Sequence, residues 1–181
     1  LPLEKFQIEC VTCHDPHRNA IPPFLQRTTR NGELCVTCHD KSGRGWDWSA
    51  SAHAVSAATP VSGDPWGGRK LEWKGENVAE NACMNCHAPH NARTPARLVK
   101  EREEETCFLC HDGTTAAKNI RAEIQKFFRH PVEVTPNAGH DGMVREDPAT
   151  MPLHVECEDC HNPHASRNGR PLITVNPRNP S

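Results

Sequence analysis

Ten cysteines in 181 residues are far more than ordinary usage, and none of them stands alone. They fall into the C-x-x-C pairs Cys10/Cys13, Cys35/Cys38, Cys83/Cys86, Cys107/Cys110 and Cys157/Cys160. Each pair is followed at once by a histidine: His14, His39, His87, His111 and His161. Three of these lines continue to a second histidine across a proline, as C10-V-T-C-H-D-P-H17, C83-M-N-C-H-A-P-H90 and C157-E-D-C-H-N-P-H164. Thiols and imidazoles are ligands and nucleophiles, so the pattern is one of metal or redox-cofactor chemistry.

Three other chemistries fail against this spacing. Zinc ribbons share one metal between two C-x-x-C pairs, and an odd number of pairs cannot be divided that way. A thioredoxin-like dithiol expects one pair beside a βαβ unit, which is missing. A disulfide scaffold gives no reason to confine every cysteine to this spacing. C-x-x-C-H is the attachment sequence of haem c. Two thiols add across the two vinyl groups on one porphyrin edge, and the next imidazole becomes the proximal iron ligand. Five such sequences predict five covalent haem c groups.

Seven histidines remain: His17, His53, His90, His130, His140, His154 and His164. Methionine is scarce, with three in the chain, so the distal ligands are expected to be histidines. His17, His90 and His164 occupy equivalent places. His53 and His130 each follow the second haem motif of a unit. Those five are the expected distal ligands. His154 and His140 rank below them, because neither has a counterpart in the first unit; a solvent-facing or propionate-bonding role weighs equally. Bis-histidine iron lacks the thioether ligand that raises potential, so low potentials are expected.

The H-x-P-H element has a geometric consequence. The chain is stapled to one face of its own haem, and a residue three positions on lies only about 5–6 Å away. It cannot reach the opposite axial site, so the second imidazole must serve a different iron. Proline stiffens the link by fixing φ. His164 is the sharpest case, because no second haem motif follows it; its iron is expected elsewhere in the chain or in a neighbouring subunit.

The elements that hold these residues must be sparse. Leu, Ile, Val and Phe make up 30 of 181 residues, about 17%, with no Tyr, 16 Pro and a mean hydropathy of −0.72. Such a chain cannot build a core from side chains alone. Haem macrocycles would replace the missing core, and folding would depend on their attachment. The expected fold is mostly irregular and loop-rich, with a few short α-helices, little or no β and a quasi-linear haem array packed by the chain. It forms a single domain over 1–181, with internal repeats at about 10–82 and 83–156 and a partial one at 157–181. Thr94–Pro95 predicts the start of a helix running to about Cys110. Thr114 or Thr115 predicts a second, with Ile120, Ile124, Phe127 and Phe128 on one face and Pro131 ending it. Residues 55–77 read as loop, and PLITV at 171–175 as one strand.

These motifs resemble the multihaem c-type cytochromes with doubled C-x-x-C-H motifs, over nearly the whole chain. The resemblance implies electron carriers of the periplasm and cell surface. Some small pentahaem members donate to a nitrite reductase; others polymerise into extracellular filaments. An enzyme is disfavoured. Pentahaem nitrite reductases carry a C-x-x-C-K that is absent here, and hydroxylamine-oxidising relatives cross-link a tyrosine this chain lacks. No hydrolase, zincin or P-loop motif occurs.

The filament reading is preferred: an extracellular or cell-surface homo-polymer joined through haem-to-haem contacts. A periplasmic carrier between redox protein partners is the alternative. The net charge of −2 carries no basic block for nucleic acid, and no apolar run is long enough for a membrane span. The N-terminal Leu rather than Met reads as a mature chain after signal removal.

Overall fold

The computed structural model describes residues 1–39, 47–60, 75–93, 97–132 and 155–165. Helices in these segments are short. α1 is Cys10–Cys13, α2 Glu33–His39, α3 Val78–Asn81, α4 Glu103–Phe108, α5 Ile120–Glu123 and α6 Cys157–Cys160. Turns of 3₁₀-helix at Arg30–Gly32, Trp48–Ala50 and Ala82–Asn85 complete the regular structure. Among the described residues there is no strand, only isolated bridges such as His14 with Leu25 and His87 with Val99. The loop-rich fold class expected from the sequence is the one observed.

Each C-x-x-C sits on helical turn because three residues of separation put both cysteines on one face. Side chains close these turns. Thr12 Oγ1 accepts the Glu9 N–H at 3.0 Å, and Asp159 Oδ2 accepts the Glu156 N–H at 2.9 Å. Asn77 caps α3 through the Glu80 N–H at 2.9 Å, and Asn119 caps α5 through the Ala122 N–H at 2.9 Å.

Both long helices expected from the sequence are shorter. Thr94 and Pro95 lie outside the described residues. The helix that follows begins at Glu103, because residues 98–100 pair with the third motif instead. Ala88 N–H donates to the Leu98 carbonyl at 2.7 Å and Lys100 N–H to that of Cys86 at 3.0 Å. Leu98 has φ 54, which no α-helix accommodates. The second helix starts at Ile120 rather than near Thr114. Asp112 Oδ1 accepts from both the N–H and hydroxyl of Thr114, Gly113 turns at φ 92, and the chain folds back before Asn119 caps. Phe127 and Phe128 meet edge to face but are 90% and 91% exposed to solvent, so these two rings pack on no protein core. Residues 55–60 carry no regular structure, as expected; 61–74 and the predicted strand at 171–175 lie outside the described residues.

The buried apolar set is small: Leu34, Val78, Ala82, Met84, Phe108 and Ala165. Polar anchors supplement it. Asn85 Nδ2 donates to the carbonyls of Val78 and Ala82 at 2.7 and 2.9 Å, fixing the turn that carries Cys83 and Cys86. Glu103 Oε1 accepts the Glu158 N–H at 2.7 Å, locking α6 onto α4.

Candidate haem-ligand site

Four of the five motif backbones repeat one another. The N–H of His14, His87, His111 and His161 each donates to the carbonyl of the first cysteine of its pair, at 2.9, 2.9, 3.0 and 2.8 Å. The chain then turns extended, at φ −112, ψ 136 for His14 and φ −112, ψ 137 for His161. Each imidazole thus leaves its helical turn beside its own thiol pair. The cysteines form no disulfides. Thiols of different motifs meet, Cys35 hydrogen-bonding Cys83 and Cys107 hydrogen-bonding Cys157. The second motif therefore abuts the third, and the fourth abuts the fifth.

The second motif departs from this shared backbone at His39. α2 does not stop at its thiol pair but runs through Cys38 to His39, so this imidazole stays on the helix. The cause lies one turn back: the helix is already under way at Glu33, and the Thr37 hydroxyl donates to the Glu33 carbonyl at 3.0 Å. Cys35 is half-buried against Cys83, whereas Cys38, three positions on, is exposed. The structure thus brings Cys35 into a shared thiol cluster but leaves Cys38 at the surface, where Cys10 and Cys160 also lie. Cys38 is not isolated from the other motifs. Burial raises the Cys13 pKa, and nearby Cys35 and Cys38 add to the effect. An exposed thiol stays open to a vinyl group, so attachment at Cys38 rests on the C-x-x-C-H spacing and not on an enclosed pocket.

Ring nitrogens are anchored. His14 Nδ1 lies 3.0 Å from the Pro23 carbonyl, His87 Nδ1 2.9 Å from that of Arg97 and His53 Nδ1 3.1 Å from that of Pro163. A carbonyl only accepts, so Nδ1 is the protonated nitrogen in each ring, leaving Nε2 with its lone pair outward. This is the orientation an iron ligand needs, with a carbonyl as its outer partner. Burial lowers the pKa of His87 and His111 and pushes His164 down to about 4, with His87 and His53 adding to the last effect. These imidazoles are neutral at physiological pH, the form that binds metal.

Imidazoles meet in pairs. His14 and His90 have ring centroids 5.9 Å apart with planes at 18°. His87 and His164 are 6.1 Å apart at 15°. His53 and His111 are 6.2 Å apart at 88°. The separations come close to the ~6.2–6.4 Å of two imidazoles on one metal, which is twice the sum of a metal–nitrogen bond of ~2.0–2.1 Å and about 1.1 Å from nitrogen to ring centre. Each pair joins a histidine that follows a C-x-x-C to one of the expected distal candidates. The donor set fits a haem c: paired free thiols, an adjacent imidazole with Nε2 available, and a second imidazole at axial spacing.

His17, His39, His90, His130 and His161 are exposed. Among the described residues no comparable ring pairing involves His17, His39, His130 or His161. His140 and His154 lie outside the described residues.

Some residues that shape the site were not singled out from the sequence. Asp15 Oδ1 accepts the His17 N–H and Asn162 Oδ1 the His164 N–H, both at 3.0 Å, forming the turn that swings the second histidine away from the first. The Asx-Pro dipeptides were a readable signal for this. The carbonyls of Pro23, Arg97 and Pro163 have no sequence signature. Trp48, tilted at 60° to His164 with centroids 6.5 Å apart, had none either.

Known proteins bear on these features. The family profile described as the doubled CXXCH motif matches residues 4–44 and 76–116. The multiheme cytochrome MtrA of Shewanella baltica (strain OS185) is 25% identical over 170 residues, covering 88% of this chain. The match takes in 36% of that relative's length, so this chain spans about a third of it. No solved structure matches. No helix among the described residues is long and apolar enough to cross a membrane.

Proposed function

We propose that this chain, a multihaem c-type cytochrome with doubled CXXCH motifs distantly related to MtrA, transfers electrons through five covalent bis-histidine haems without turning over a substrate. The observation that carries the reading is the set of three imidazole pairs at 5.9–6.2 Å, each containing the histidine of a CXXCH. When bound, the haems supply one-electron exchange between ferric and ferrous iron. The rest is positioning by the chain. The cysteine pairs Cys10/Cys13, Cys35/Cys38, Cys83/Cys86, Cys107/Cys110 and Cys157/Cys160 form the thioethers. His14, His39, His87, His111 and His161 are the proximal ligands. Cys38 and His39 enter this set on their spacing, since neither is enclosed as its counterparts at Cys86 and His87 are. His90 completes the iron of His14, His164 that of His87 and His53 that of His111. The irons of His39 and His161 take their second imidazole from among His17, His130, His154 and His140, within the chain or from another copy.

The thiol contacts Cys35–Cys83 and Cys107–Cys157 support a quasi-linear order in which consecutive motifs are neighbours. The few buried apolar residues support macrocycles as the core. Two imidazoles held to one iron would leave it no open position for a substrate. Mass spectrometry of the haem-loaded protein tests the count: five haem increments are expected, and fewer overturn it. A purely low-spin ferric spectrum is expected, and a stoichiometric high-spin haem overturns the non-enzymatic reading.

For its setting we propose an extracellular or cell-surface filament, in which redox partners include further copies of the chain. His90 reaches back to His14 and His164 back to His87, so H-x-P-H lines serve the iron one unit earlier. His17 is exposed and so is open to an iron of another copy, as an array continued between subunits requires. The relationship to MtrA makes a periplasmic or outer-envelope carrier the alternative. Negative-stain imaging of the native preparation separates them: filaments support the first, and monodisperse single particles support the second.

A further inference from the structure

His53 and His164 lie more than a hundred positions apart, yet one peptide unit joins them. The carbonyl of Pro163 accepts from His53 Nδ1 at 3.1 Å. That carbonyl belongs to the same rigid plane as the His164 N–H. The N–H is held in turn by Asn162 Oδ1 at 3.0 Å, and the His164 carbonyl accepts from the Asp47 N–H at 3.3 Å. Trp48 lies against the His164 imidazole. The segments around 47–53 and 162–165 are therefore fastened at several points, with this peptide at their centre. Its two imidazoles then diverge: His53 meets His111, and His164 meets His87.

We propose that the Pro163–His164 peptide is a shared positioning element for two haem irons, orienting His53 toward the iron fixed by His111 while carrying His164 to the iron fixed by His87. The proposal rests on the axial pairing given above. It also assigns a role to the proline of H-N-P-H beyond stiffness. Proline fixes φ at 163 and so removes one of the two torsions that set the direction of the carbonyl orienting His53. The consequence is electronic as well as geometric. An imidazole that donates Nδ1–H to a carbonyl is a stronger Nε2 donor, and this favours the ferric state. The Pro163 carbonyl therefore lowers the reduction potential at the iron served by His53.

Three variants of the haem-loaded full chain test this, read by spectroelectrochemistry and electron paramagnetic resonance. Replacing His53 by a histidine methylated at Nδ1 keeps Nε2 and deletes the donor. One of the five potentials should move upward, with four unchanged. Expulsion of that one ligand, seen as a single haem turning high-spin, also supports the proposal by placing the constraint at Nδ1. Unchanged potentials with all haems low-spin overturn it. Pro163→Gly frees φ at the shared peptide and should alter two low-spin signals together; a change in one alone, in all five or in none overturns the sharing. His53→Met tests the ligand reading itself and should raise one potential through thioether ligation. If it does so while the methylated variant changes nothing, the axial assignment stands and the shared peptide falls. If His53→Met moves no potential, the assignment falls too.

Discussion

His90 sets its imidazole 5.9 Å from that of His14, although His87, three positions before it, follows a different thiol pair. His164 repeats the relation with His87. On the proposed ligand set, the second histidine of a line would serve an iron held two thiol pairs earlier, and the lines His87–His90 and His161–His164 would each set two irons three residues of chain apart.

This relation predicts where damage appears. His90→Ala should strip the sixth ligand from the haem attached at Cys10 and Cys13, leaving the haem at Cys83 and Cys86 low-spin. His164→Ala should strip the latter. Each single variant should turn one haem high-spin and able to bind carbon monoxide, and the double variant two. If the double variant shows no more high-spin haem than the singles, the two histidines do not serve separate irons.

Ring orientation gives a spectroscopic prediction. Parallel imidazole planes split the two iron orbitals that overlap them, whereas perpendicular planes leave those orbitals nearly equal in energy. The pairs His14–His90 and His87–His164 are within 18° of parallel, and His53–His111 is at 88°. The ferric protein should therefore show both ordinary rhombic low-spin resonances and a strongly anisotropic one in electron paramagnetic resonance. His53→Met should remove the anisotropic signal and keep the rhombic ones.

The thiol pairs and the histidines beside them were legible because covalent attachment demands fixed local spacing. That spacing does not reveal surroundings, which is why Cys35 and Cys38 read alike in sequence yet differ in exposure. His53, His90 and His164 were legible as candidates by their repeat positions, and H-x-P-H directed the last two away from the haem of their own motif. Which iron was not legible, since that depends on contacts between units more than seventy residues apart. Helix lengths were over-read for a similar reason. The run through residues 97–102 has helical composition, but Leu98 and Lys100 give their main-chain groups to Ala88 and Cys86, and periodicity does not see such pairings. The orienting carbonyls of Pro23, Arg97 and Pro163 belong to the main chain, where no side chain announces them.

Gly32 allows the approach of the second and third motifs. It is buried with φ +77, and a Cβ there would stand 3.2 Å from Cys83 Sγ and 3.6 Å from Ala82 Cβ. Gly32→Ala strains the left-handed backbone and crowds an attachment sulfur, costing about 1–2 kcal/mol together. The expected outcome is a lower denaturation midpoint and reduced haem content at Cys83. Full haem content with unchanged stability would show that the two motifs have room to separate.

Glu103 gives the chain a pH dependence. Its carboxylate lies within 4.8 Å of those of Glu156 and Glu158, and Arg97 pairs with Glu158. Burial first, and the neighbouring Glu156 second, push the Glu103 pKa up to about 9 from 4.5. A raised carboxyl pKa means that the folded chain holds a proton the unfolded chain has released, throughout the window between those values. Stability must therefore fall as pH rises from about 4.5 toward 9, and this contribution vanishes below the lower value. Glu103→Gln keeps an oxygen to accept the Glu158 N–H, 2.7 Å away in the parent, while removing the titration. The variant should match the parent near pH 4.5 and exceed it at about pH 8, by about 1–2 kcal/mol after allowance for solvent screening. Urea midpoints of the haem-loaded protein at the two pH values check this. Parallel pH profiles for parent and variant would mean that Glu103 ionises normally in the folded chain and that α4 and α6 meet without a shared proton.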